Sequence, residues 1–172
     1  MTLRAGCSES DRGVELRTVR VTDPEAAPAL FALAAEYRRR YGSDDELRTT
    51  TVEEFDPPAG RFVVAMDGGE TVAAGAYHRI DDDACEVKRM WTREDRRRQG
   101  LAARVLADLE RAAGCAGYRV IRLETGPAQP EAQALYAALG YRRIPPFGRY
   151  PQALAFEKHA STVRAARPEE GL

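Results

Sequence analysis

Three consecutive apolar runs joined by two tight-turn signals fix the middle of this chain. Residues 61–66 and 71–77 read as strands, and Asp67-Gly68-Gly69-Glu70 between them supplies the positive φ that a hairpin turn needs. Asp81-Asp82-Asp83 marks a second turn before another strand over residues 85–91. Strands this close in sequence predict an antiparallel meander. After Trp91 the period changes. Leu101, Val105, Leu106 and Leu109 share one face of a helix over residues 101–113, ended by Gly114 and Gly117. Residues 120–125 read as a fifth strand. Residues 130–139 read as a helix, with Pro130 in its first turn and Gly140 just past its end. Residues 141–144 and 154–157 are closing strands on either side of Pro145-Pro146-Phe147-Gly148.

Upstream, residues 14–21 alternate as a first strand, and Thr22 or Asp23 is placed to cap a helix. Leu30, Phe31, Leu33, Ala34 and Tyr37 have the spacing of that helix's apolar face. Arg38-Arg39-Arg40 suits its C-terminus as a solvated basic end. Residues 41–60 read as loop, with a short helix at 51–55. The predicted fold class is α/β (α+β): one domain with a mixed central sheet of about seven strands flanked by helices. Its bounds are 14–159, between flexible segments at 1–13 and 160–172.

Length and charge narrow the function. The chain has 172 residues, enough for one sizeable core, and a net charge of −1. That balance points to no nucleic acid and no membrane as partner. No apolar run nears the roughly 18 residues that a bilayer span needs. The first residues lack an apolar signal core, so the expected location is cytoplasmic. Cys7, Cys85 and Cys115 form no CxxC pair, and His78 and His159 are far apart, so no metal is expected. Both histidines read as surface or strand residues.

The chemistry-bearing stretch is Arg96-Arg97-Arg98-Gln99-Gly100-Leu101-Ala102, between a strand and a helix. Gly100 and Ala102 let a ligand approach the backbone, and the free N–H groups of residues 98–102 sit at a helix N-terminus that favours phosphate. The arginines add positive charge beside it. The stretch is neither GxxxxGK[ST] nor GxGxxG, so it supports neither nucleotide hydrolysis nor a Rossmann dinucleotide site.

Arg97-x-x-Gly100-x-Ala102 resembles the R/Q-x-x-G-x-G/A signature of the GNAT N-acetyltransferases. Glu86-Val87-Lys88-Arg89-Met90-Trp91 resembles the family's fourth strand. Gln129-Pro-Glu-Ala-Gln-Ala-Leu135-Tyr136 and Gly140-Tyr141 resemble its later helix segment, with Gln129 where many members have Asn. The resemblance spans residues 14–159. It implies strands four and five splayed around the pantetheine of acetyl-CoA. The implied cofactor contacts are Met90, Trp91, Thr92, Arg97, Arg98, Gln99, Gly100, Leu101, Ala102, Gln129 and Tyr136. The implied acceptor is a primary amine of a small molecule or peptide, and the resemblance leaves room for a homodimer.

Acetyl transfer needs a neutral amine, a polarised thioester carbonyl and a protonated leaving thiolate. An alkyl ammonium has a pKa of about 10.4, so a base must take its proton at neutral pH. Glu86 lies eleven positions before Arg97, the offset of the base in histone-type members. It is expected to share a strand face with Lys88 and Met90, not with Val87 and Trp91. A solvent-facing Glu86 paired with Lys88 or an arginine is the plainer expectation. Glu124, or a water chain, is the alternative base. A strand-four N–H near Met90 or Trp91 would hold the carbonyl oxygen. Tyr136 matches the family's general acid. The acceptor site would draw on Tyr37, Tyr41, Phe55, Glu124, Arg149 and Tyr150, with Asp44, Asp45 and Glu46 attracting a cation. Phe147 belongs to the same region. Two rivals stand beside this reading: a non-catalytic acyl-CoA-binding protein of the same fold, and a nucleic-acid binder using the basic run from Arg93 to Arg104.

Overall fold

A computed structural model of the chain describes residues 13–49 and 51–160. Seven strands form one sheet: β1 (Glu15–Val19), β2 (Arg61–Asp67), β3 (Glu70–Arg79), β4 (Ala84–Thr92), β5 (Val120–Thr125), β6 (Arg142–Ile144) and β7 (Leu154–His159). Their order is β1-β2-β3-β4-β5-β7-β6. The expected meander is β2-β3-β4. Every described pairing is antiparallel except β4–β5, the pair joined through a helix. That helix is α3 (Leu101–Cys115), and α4 (Pro130–Ala138) follows β5. Before the meander come α1 (Ala27–Tyr41) and α2 (Asp45–Thr49).

The helices divide the core in two. Val105, Leu106 and Leu109 of α3 and Tyr136 of α4 pack with Val63, Val72, Ile121 and Leu123 on one face of the sheet. Ala29 of α1 packs with Phe55, Phe62, Val64 and Ala74 on the other. β2 and β3 are buried on both faces, as strands in the middle of two layers must be.

Several sequence expectations shift by local causes. The first helix starts at Ala27, not after Thr22 or Asp23. Asp23 accepts a hydrogen bond from the Arg20 N–H at 2.8 Å and so caps a turn ahead of the helix. Phe31 is 78% exposed, because Ala29 and Leu33 set the inward face. Gly114 lies inside α3, which runs on to Cys115. Residues 45–49, read as loop, form α2, and residues 52–55 form a 3₁₀ turn. Segments 1–12 and 161–172 of the expected flexible termini lie outside the described residues.

The irregularity in β4 matters most. Ala76 pairs with Lys88 and Ala74 with Trp91, so Arg89 and Met90 together oppose Gly75. This is a β-bulge, and Arg89 adopts a φ of 61° within it. The bulge reverses the alternation that the sequence predicted. Val87 and Met90 face α3, while Trp91 joins the α1 face. Met90 is therefore parted from Glu86, contrary to expectation. Gly75 permits this: a Cβ there would lie 2.5 Å from the Met90 sulfur and 2.8 Å from Val105 Cγ1.

Candidate active site

β4 and β5 pair only from Ala84–Val120 to Val87–Leu123. β4 continues to Thr92 and β5 to Thr125, so the strands part beyond Val87 and leave the β5-facing edge of residues 88–92 without a strand partner. Two tyrosines lie in the helical layers on the two faces of the sheet. Tyr136 is buried in the α3–α4 layer, its ring 5.9 Å from those of Tyr141 and Phe156. Burial pushes its phenol well above the ordinary value, with a smaller contribution from Tyr37. Tyr37, from α1, is pushed up to about 12 by burial, against the opposing pull of Arg89.

The cradle lies where β4 runs into α3. Gly100 is the N-cap, with a φ of 77° and no side-chain cap. Only Gly takes such a φ without steric cost, yet Arg98 also sits at φ 61°. The first turn of α3 cannot satisfy its own N–H groups, so those of Leu101 and Ala102 remain as donors. An added Cβ at Gly100 would meet no atom within 4 Å, so the approach is open. The three arginines are not equivalent. Arg96 is held by Asp67 at 2.5 Å and by Gln99 Oε1 at 3.1 Å. Arg97 is exposed, its Nε 3.4 Å from the Thr92 carbonyl, and Arg98 is exposed. Donors, positive charge and open space fit a pyrophosphate. Gln129 Oε1 accepts from Thr125 Oγ1 at 2.5 Å and Gly126 N–H at 3.4 Å, so the amide oxygen holds the β5–α4 turn.

Glu86 is buried. His78 Nε2 lies 2.8 Å from its Oε2, and Lys88 Nζ lies 3.7 Å from its Oε1. It is therefore no solvent-facing strand residue, although it does pair with Lys88. Lys88 also bonds Glu46. Glu46 in turn accepts Arg89 at its carbonyl, at 3.1 Å, and its carboxylate adds to burial in pushing the Tyr150 phenol up. The expected cation-attracting trio is thus partly consumed: Glu46 as described, and Asp44 by Arg38 at 2.5 Å and Arg48 at 3.6 Å. Arg89, 4% exposed, stacks 5.5 Å over the Phe55 ring. Phe55 is itself buried, and it reaches the site through Arg89.

Glu124 Oε1 accepts the N–H groups of Phe147 and Gly148 at 2.9 and 3.0 Å, so it anchors the β6–β7 loop. That loop carries Arg149, stacked 5.8 Å over Tyr150. Tyr41 lies against Gly126, where a Cβ would stand 1.8 Å from its hydroxyl. Arg40 bonds Glu36 at 2.9 Å and Glu131 at 3.0 Å and so ties the end of α1 to α4, while Arg38 and Arg39 are exposed, as expected of a solvated basic end. Sequence reasoning missed Arg89, His78 and Glu54 as site residues: the bulge brings in Arg89, the β3–β4 register sets His78 opposite Glu86, and the 3₁₀ turn carries Glu54 to His78. Among the described residues, no group of three or more His, Cys, Asp or Glu is arranged to hold a metal, and no helix is long and apolar enough to cross a membrane.

Comparisons with known proteins bear on the family and the fold. The model of the acetyltransferase (GNAT) family matches residues 27–141. An uncharacterized N-acetyltransferase of Schizosaccharomyces pombe is 25% identical over 127 residues, covering 69% of this chain and 78% of the yeast protein. Among solved structures, an assigned acyl-CoA N-acyltransferase of Klebsiella pneumoniae superposes with a TM-score of 0.71 at 27% identity, covering 86% of this chain and 98% of that one. The PaiA N-acetyltransferase of Thermoplasma acidophilum, in complex with coenzyme A, gives 0.64 at 14% identity, covering 86% and 99%. At that identity the likeness is one of fold alone.

Proposed function

Because the chain belongs to the acetyltransferase (GNAT) family, we propose that it moves the acetyl group of acetyl-CoA to a primary amine of a small molecule or peptide by direct attack on the thioester. The observation that carries this reading is the parting of β4 and β5 beyond Val87, beside the open N-terminus of α3. One opening admits an extended thioester arm, and the other end receives its phosphates.

Glu86 takes a proton from the ammonium, and the freed nitrogen attacks the carbonyl carbon. A β4 N–H between Met90 and Thr92, on the edge without a strand partner, donates to the developing oxyanion. One such donor is worth roughly 3 kcal/mol. The C–S bond then breaks as Tyr136 donates to the departing sulfur, while the attacking nitrogen gives up its second proton through water and the Tyr136 phenolate is reprotonated, leaving the amide and the CoA thiol. Arg97, Arg98, Gln99, Gly100, Leu101 and Ala102 hold the pyrophosphate, and the Gln129 amide nitrogen donates to the cofactor. Tyr37, Glu124, Arg149 and Tyr150 surround the acceptor. Arg149 is exposed and fits an acceptor that carries a carboxylate beside its amine. Phe55 supports this site through Arg89, and Tyr41 supports the cofactor side through Gly126.

A panel of amines, with and without a neighbouring carboxylate, should release CoA thiol from acetyl-CoA only with the right acceptor class. Binding of acetyl-CoA with no release across primary amines would instead favour a non-catalytic acyl-CoA-binding protein.

A further inference from the structure

His78 stands opposite Glu86 in the β3–β4 register. Its Nε2 lies 2.8 Å from Glu86 Oε2, and its Nδ1 lies 3.3 Å from Glu54 Oε2. The side chains of His78 and Glu86 are 14% and 12% exposed, while that of Glu54 is 43% exposed. Glu54 is itself held, since its Oε1 receives the Thr51 N–H at 3.2 Å and the Thr51 hydroxyl at 3.3 Å. The Phe55 ring meets the imidazole edge-on, with centroids 5.9 Å apart.

The charged groups around His78 come from two elements: Glu86 and, beyond it, Lys88 from β4, and Glu54 from the 3₁₀ turn. Glu46 of α2 joins through Lys88. Both ring nitrogens thus face carboxylate oxygens. A neutral imidazole can donate to one of them, and an imidazolium to both.

We propose that His78, anchored by Glu54, is a positioning residue that holds Oε2 of Glu86 at 2.8 Å and so keeps Oε1, which faces Lys88 Nζ only loosely at 3.7 Å, turned to meet the acceptor amine. This rests on Glu86 being the base. Without the imidazole, the carboxylate is free to turn about its last side-chain bond and close on Lys88. A base turned from its line of attack loses rate, because a displacement of about 1 Å can cost on the order of a hundredfold.

The test measures kcat, the KM for the amine and the pH–rate profile. His78→Leu removes the donor and keeps bulk. It should lower kcat at least about tenfold, with acetyl-CoA affinity unchanged. His78→Gln keeps an N–H for Glu86 and should restore most of the rate. Glu54→Gln retains the bond to Thr51 and removes the carboxylate acceptor that an imidazolium needs at Nδ1 while it donates from Nε2 to Glu86, so it should lower kcat several-fold and move the pH profile. It sits at a half-exposed position and serves if His78→Leu does not fold. In a Glu86→Gln background, His78→Leu should add no further loss. Full kcat in Glu86→Gln would remove the base reading, and this inference with it. A slow Glu86→Gln beside a full-rate Glu54→Gln and either a full-rate His78→Leu or equal His78→Leu losses in both backgrounds would overturn this inference alone.

Discussion

Tyr136 is buried against Tyr141 and Phe156, and that burial makes its phenol a weaker acid than a free one. It therefore stays protonated through neutral pH, as a donor must. A thiolate forming in the same dry space is a stronger base than in water for the same reason, so burial raises both partners. Tyr136→Phe keeps the ring and its packing and removes the donor. A thioester sulfur is a poor acceptor in the ground state, so the bond strengthens only as the C–S bond breaks. The expected result is a kcat lowered at least roughly tenfold, with acetyl-CoA affinity by calorimetry nearly intact. A full kcat would make Tyr136 a packing residue. Glu86→Gln acts on the other proton. Its kcat should fall most near neutral pH and converge on wild type as pH approaches the amine's pKa of about 10.4, where the neutral amine is abundant. An unchanged profile would move the base to water or Glu124. Of these two, Glu124 is the weaker candidate, because one of its oxygens already holds the β6–β7 loop.

At the scale of elements, the site depends on the bulge in β4, and the bulge depends on Gly75. Gly75→Ala would force its Cβ against the Met90 sulfur at 2.5 Å, Val105 Cγ1 at 2.8 Å and Leu109 Cδ1 at 3.0 Å. Met90 can swing aside, but Val105 is branched and fixed on α3. The expected cost is about 1–3 kcal/mol, read as a lower denaturation midpoint. A loss of kcat should accompany it, since Met90 moves with the unpaired edge of β4. An alanine variant as stable and active as wild type would mean that the bulge yields without harm. The same element shows what the sequence could reveal. The meander, α3 and α4 were legible because period and turn chemistry are local. The extra residue at Arg89 was not, since a bulge is set by the partner strand. Read as unbroken alternation, β4 put Met90 beside Glu86, and the structure puts them on opposite faces. The His78–Glu86 contact was hidden likewise: eight residues apart in sequence, they meet only through the β3–β4 register.

For the whole molecule, the test is whether acetyl-CoA stabilises the fold. A ligand bound only by the folded state adds RT ln(1 + [L]/Kd), about 2.7 kcal/mol at a hundred times Kd. For a domain of this size each kcal/mol moves the melting temperature by about 2–4 °C, so a shift of several degrees is expected. The α3 cradle alone would accept any pyrophosphate. If the gap between β4 and β5 takes the thioester arm as proposed, ATP and NAD, which have no such arm, should shift the melting temperature far less. Equal shifts from all three would mean that the cradle binds and the gap does not. Gly100→Glu separates the two parts. An added Cβ there meets no atom within 4 Å, so the fold should survive despite the strain of a side chain at φ 77°. That strain is of order 1–2 kcal/mol, which lowers the starting temperature without preventing folding. The new carboxylate would stand where phosphate oxygens must approach, and like charges there cancel what the α3 N-terminus offers. The acetyl-CoA shift should then vanish in a protein that still melts cooperatively. A folded Gly100→Glu protein that keeps the full shift would mean that the pyrophosphate lies elsewhere, and that the basic run before α3 serves only its bonds to Asp67 and Thr92.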